Sequence, residues 1–108
     1  TFHKHAGIPV PGIELVTEGK FWNPEEFKPY RLVASILKTI RRLYPDLSLW
    51  TTPPYEYEYE RVPIDVITGG RRFREWVEDP HTEWEPFMHE ITQDETQWQE
   101  YSRRWWLY

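Results

Sequence analysis

Ten prolines fall within 108 residues, roughly twice average usage, and they limit every regular element the chain can form. Proline has no N–H to give to a helix or a ladder, and its ring fixes φ. Pro45-Asp46, Pro53-Pro54 and Asp79-Pro80 therefore end what precedes them. Pro9 and Pro11, with Gly7 and Gly12, make residues 1–12 an irregular arm. At this length the chain is a single domain with one core.

Between the breaks, periodicity assigns the elements. Residues 13–17 (Ile-Glu-Leu-Val-Thr) alternate apolar and polar and read as a short strand. Asn23-Pro24-Glu25-Glu26 reads as a helix start, with a break or kink expected at Pro29. The main helix is expected over residues 30–43, where Tyr30, Val33, Ile36, Leu37, Ile40, Leu43 and Tyr44 form an apolar stripe. Residues 47–51 suit a short strand. Tyr55-Glu56-Tyr57-Glu58-Tyr59-Glu60 alternates without a fault and predicts a strand with Tyr on one face and Glu on the other. Residues 64–67 are a short apolar run, Gly69-Gly70 a turn, and residues 71–78 a helix with Phe73, Trp76 and Val77 on one side. Thr92-Gln93-Asp94-Glu95 has capping-box spacing, so the last helix is expected from about Thr92 to Trp106. The expected fold class is α+β: one small domain, about three helices packed on a few short strands.

Composition narrows the chemistry. The net charge of −5 makes a nucleic-acid partner unlike this chain, because phosphate backbones need a basic surface. No apolar run is long enough to span a membrane, and no charged-then-apolar leader is visible at the N-terminus. With no cysteine there is no disulfide, thiolate metal site or Cys nucleophile. The first residue is Thr1 rather than Met, so a piece of a longer protein is expected.

Few side chains combine into a reactive set. Glu56 and Glu58, two apart on a strand, would lie ~6.6 Å apart along the backbone, within the range of glycosidase carboxyl pairs. A solvated Glu face opposite a packed Tyr face explains the same pattern. His3 and His5 lack the third and fourth ligands of a zinc site, and His81 and His89 are remote in sequence. No metal or other cofactor is expected. Of the seven Trp, helical spacing assigns Trp76, Trp98 and Trp105 to the core, while Trp22 and Trp50 lie at element edges and are freer to meet a ligand. Arg71, Arg72 and Arg74 follow Gly69-Gly70, where backbone N–H groups can hold an anion, although a solvated helix face accounts for them equally.

Several segments occur together in a recognisable order. They are Phe2-His3-Lys4-His5-Ala6-Gly7, Phe27-Lys28-Pro29, Arg42-Leu43-Tyr44-Pro45, Pro54-Tyr55-Glu56-Tyr57-Glu58, Pro63-Ile64-Asp65 with Thr68-Gly69-Gly70, and Leu107-Tyr108. In this order they resemble the C-terminal part of the NamZ-type exo-β-N-acetylmuramidases, a bacterial glycoside hydrolase family, over almost the whole chain. The family pattern has Cys-Gly-Gly where this chain has Val10-Pro11-Gly12, and often Tyr-Leu-Leu-Tyr where this chain has Trp105-Trp106-Leu107-Tyr108.

The resemblance implies a two-part protein. A Rossmann-like N-terminal domain would carry the catalytic carboxylates, and residues 1–108 would be a C-terminal accessory domain closing a cleft for muramyl sugars of peptidoglycan. The implied contacts, to substrate or to the other domain, are Lys4, His5, Gly7, Tyr55, Glu56, Glu58, Asp65 and Gly69, with no catalytic residue in this chain. It also implies work outside the cytoplasm, in the periplasm or beyond. The runner-up is a separate glycan- or protein-binding module using exposed aromatics. A self-contained hydrolase built on the Glu-rich strand is the third reading.

Overall fold

A computed structural model describes residues 6–20 and 22–107. Four helices carry the fold: α1 (Pro29–Leu43), α2 (Pro63–Ile67), α3 (Arg72–Glu78) and α4 (Trp84–Ser102), followed by a single 3₁₀ turn, Arg103–Trp105. None of the described helices is long and apolar enough to cross a membrane.

α3 is the centre of the core. Phe73, Trp76 and Val77 are buried on it, and Val77 is fully enclosed. α1 packs on one side through Ala34, whose missing bulk lets the two backbones approach. The first half of α4 packs on the other side through Phe87 and Ile91. Trp76 lies flat on Phe87, with ring centroids 4.1 Å apart and planes 8° apart, and Trp84 leans on its other neighbourhood at 5.3 Å. Leu49 and Trp50, from the α1–α2 connection, close the remaining side.

Polar groups fix the helices at their ends. Lys38 is buried on α1, and its ammonium donates to the carbonyls of Trp76 and Asp79 at the C-terminus of α3. These are carbonyls the helix itself leaves unpaired, at its negative end. Burial first, then the nearby Arg42, holds the Lys38 ammonium below its ordinary pKa. Glu78 receives both Arg41 Nη2, at 2.8 Å, and the Trp50 indole N–H. Arg31 of α1 reaches Glu95 of α4 at 2.5 Å, and Arg72 of α3 reaches Asp94 at 2.5 Å.

The expected α+β class is corrected: among the described residues there is no sheet, and the one β-bridge pairs Tyr55 with Glu58. Each proposed strand fails for its own reason. Residues 13–17 lie exposed, with Ile13 and Val16 about 70% accessible and no partner strand beside them among the described residues. Residues 47–51 put side chains, Leu49 and Trp50, against the core instead of pairing backbone. The short apolar run 64–67, given no element from the sequence, is helix α2, because Pro63 at its first position presets the helical φ and lacks only an N–H that would go unpaired there.

Proline also moves the helix boundaries. Pro29 starts α1 rather than breaking it, and Asn23-Pro24-Glu25-Glu26 forms a single turn in which the Glu25 N–H donates to Asn23 Oδ1 at 3.1 Å. α4 begins at Trp84, eight residues before the capping-box position, and accommodates Pro86 within its first turn, where helix N–H groups have no acceptor. Thr92 is consequently inside the helix, its hydroxyl bonded back to Met88 O at 2.8 Å. The second half of α4 leaves the core. Trp98 and Trp105, expected inside, are 65% and 66% exposed.

Candidate functional site

The Tyr-Glu repeat folds as a tight hairpin turn. Tyr55 and Glu58 exchange both backbone hydrogen bonds at 2.9 Å, leaving Glu56 and Tyr57 as a two-residue tip. Glu56 takes φ of 51°, the left-handed conformation that such a tip requires and that few non-glycine residues adopt. Tyr57 is thereby thrown out to 93% exposure, while Tyr59 is also exposed. The Tyr and Glu side chains do not divide between two faces of a strand.

Glu58 locks the turn from below. Its carboxylate accepts from the N–H of Glu60 at 2.9 Å, the N–H of Arg61 at 3.1 Å and Arg61 Nε at 2.5 Å. Those hydrogen bonds, the Glu60 N–H foremost, hold its pKa down to about 2 against an ordinary 4.5. A general acid needs the opposite shift. Glu58 therefore acts as a fixed anion that sets the position of the tip.

The other implied contacts sit next in the chain. Asp65, on α2, is 6% exposed, and its two oxygens receive Arg74 Nε at 2.8 Å and Nη2 at 2.7 Å. This bidentate pair ties α2 to α3, and the Arg74 hydrogen bonds keep the Asp65 carboxyl below its usual range. Gly69, with φ of 79°, turns the chain out of α2, and the Thr68 hydroxyl bonds back to Ile64 O at 2.8 Å. Of the arginines after Gly70, Arg72 and Arg74 are engaged by Asp94 and Asp65, so the anion-binding reading of that cluster gives way to helix–helix ion pairs. Tyr55, Glu56 and Glu58 are thus brought together on the hairpin, while Asp65 and Gly69 shape the helix that follows it.

Gly7 lies in the exposed arm with φ of 77°. Lys4 and His5 lie outside the described residues. Among the described residues no group of three His, Cys, Asp or Glu side chains is placed to hold a metal ion. Of the edge tryptophans, Trp22 packs edge-on against Phe27 at 4.5 Å and Trp50 is tied into the core, so Trp50 is not free for a ligand.

The side chain that the alternation conceals is Tyr57. Its signal was present three residues on: Glu58 and Arg61 are i and i+3, which lie on opposite faces of a strand but together on a turn.

With the hairpin and its helical support in place, comparison with known proteins gives one result. The family model for the C-terminal domain of exo-β-N-acetylmuramidase NamZ matches residues 1–108, the whole chain. No curated protein and no solved structure matches it. The chain belongs to the C-terminal family of the NamZ exo-β-N-acetylmuramidases, a peptidoglycan-related group of glycoside hydrolase domains.

Proposed function

We propose that this chain is the accessory half of a bacterial exo-β-N-acetylmuramidase, forming one wall of the cleft that receives muramyl sugars during peptidoglycan degradation or recycling. An N-terminal catalytic domain of the same protein supplies the opposite wall and the catalytic carboxylates. Its substrate being cell-wall glycan, it works outside the cytoplasm.

The observation that carries this reading is the hairpin. It presents Tyr57 fully to its surroundings on a tip that a backbone pair and three hydrogen bonds to Glu58 keep fixed. A fixed aromatic ring with a hydroxyl suits the apolar C–H face and the hydroxyls of a pyranose, at low entropy cost. Proton transfer is assigned to neither Glu58 nor Asp65, since both are held ionised by their partners. Lys4, His5 and Gly7, from the family motif, are assigned to contact with substrate or with the other domain, and the Lys and His suit the lactyl carboxylate of muramic acid.

The test uses the two-part protein and an aryl β-N-acetylmuramide. Tyr57→Ala, at a site too exposed to affect folding, should raise KM about tenfold, the loss of one ring contact, and leave the pH–rate profile unchanged. Unchanged KM and kcat would remove the hairpin from the cleft.

A further inference from the structure

We propose that the outer face of the second half of α4 is a glycan-stacking site, with Trp98 and Tyr101 as its platform, Asp94 and Gln97 as its polar rim, and a chain of β-linked pyranoses as its ligand. The two rings sit three residues apart on one helix face, their centroids 5.8 Å apart and their planes 28° apart. Arg104 continues the row, its guanidinium 3.9 Å over the Tyr101 ring and 5.2 Å from that of Trp105. Tyr101 is thus held between neighbours, and Trp98, 65% exposed, ends the row with a free surface.

A shallow groove of about 400 Å³ opens against that surface, lined by Asp94, Gln97, Trp98 and Tyr101, within the usual size of small-ligand sites. Its lining decides the class of ligand. There is no aliphatic side chain in it, which a lipid-binding groove would show. There are a free indole face, a second ring braced beside it, an amide and a carboxylate. Asp94 uses Oδ2 for Arg72 and keeps Oδ1 to accept from a ligand hydroxyl. The Gln97 side-chain amide makes no hydrogen bond among the described residues and offers both a donor and an acceptor. A pyranose ring matches this set: apolar C–H groups on one face, hydroxyls around the edge. Trp98 presents the free face, and the Tyr101 ring, covered by the Arg104 guanidinium at 3.9 Å, sets its angle. Peptidoglycan as the source of that chain rests on the reading above; the platform chemistry does not.

The probe is chitotetraose, a β-linked tetramer of N-acetylglucosamine, titrated into the 108-residue chain. Indole N–H resonances and tryptophan fluorescence are recorded together. The expected result is a saturable shift of the Trp98 indole. Trp98→Ala should weaken binding about tenfold and Trp98→Phe by less because a ring remains, whereas Tyr44→Ala, an exposed aromatic at the end of α1, should leave it unchanged. The Trp98 indole reports this site alone, so this site and the hairpin can fail separately. No shift at Trp98, or equal affinity in Trp98→Ala, overturns the proposal. Self-association in sedimentation that Trp98→Ala abolishes overturns it too, in favour of a contact between copies.

Discussion

At Glu58 the hairpin's geometry becomes a pH dependence. Folding lowers its carboxyl pKa from 4.5 to about 2, so the native state binds the proton more weakly than the unfolded chain. The stabilisation is complete above pH 4.5 and drains away as pH falls from there through about 2. Titration followed at the Glu58 carboxyl carbon should give a midpoint near 2, and the protected amides of Glu60 and Arg61 should open over the same interval. A midpoint at 4.5 would mean that the three hydrogen bonds do not hold the turn. The same residue explains why the site was hard to read. Strict Tyr-Glu alternation is the ordinary mark of a strand, yet a strand needs a partner, and none of the flanking segments supplies one. The carboxylate instead turned back on the N–H groups of Glu60 and Arg61 just ahead of it, a local side-chain bond that competes with pairing in a ladder. The family resemblance singles out Asp65, but nothing in Pro63-Ile64-Asp65 discloses that it is buried or that Arg74 lies nine residues on at bonding distance.

Helices were legible where a period and a start signal agreed. α1 and α3 lie within a residue of where their apolar spacing puts them, because Pro29 and the Gly69-Gly70 turn mark their beginnings. α4 was read eight residues short, since the capping-box spacing at Thr92 marks a helix start, while Pro86 in the true first turn costs the helix nothing. Which face of α1 is buried was less legible than its extent. The stripe of large residues implied contact through Val33, Leu43 and Tyr44, but these are 46%, 66% and 61% exposed. The contact runs through Ala34 and the Lys38 stem, with Leu37 of the stripe packed beside them and the Tyr30 ring 5.5 Å from Phe73, because α3 carries the bulk at that interface in Phe73, Trp76 and Val77. This gives a paired prediction at the level of the element. Ala34→Leu should destabilise the chain by about 1–3 kcal/mol by overpacking the α1–α3 contact. Leu43→Ala, a larger deletion of apolar surface by sequence, should stay within about 0.5 kcal/mol. Urea unfolding of the two variants reads both, and equal effects would mean that α1 buries its large stripe after all.

The whole molecule is less enclosed than its mass allows. A self-contained protein of 13.3 kDa exposes roughly 6,500 Å²; this chain exposes 9680 Å². Its radius of gyration is 17.1 Å, against about 13 Å for a compact chain of this length. Much of the excess is apolar: Ile8, Val10, Ile13 and Val16 along the arm, Val33, Leu43 and Tyr44 on α1, Trp105 and Leu107 beyond α4. Apolar area on this scale marks a surface built to be covered, and the proposed N-terminal domain is the covering that the family reading supplies. An interface of ordinary size, about 1,200–2,000 Å², would remove a large share of the excess. Joining the two parts should then raise the thermal midpoint of this half by several degrees over the isolated 108 residues, about what 1–2 kcal/mol does to a domain this size. Exposure of the α1 and arm residues to hydrogen exchange should fall with it, while Trp98 stays accessible because its groove is reserved for sugar. Identical midpoints in the two forms would show that the domains do not share a surface. The cleft, which requires one, would then have to be abandoned, whereas the α4 platform would stand or fall on its own titration.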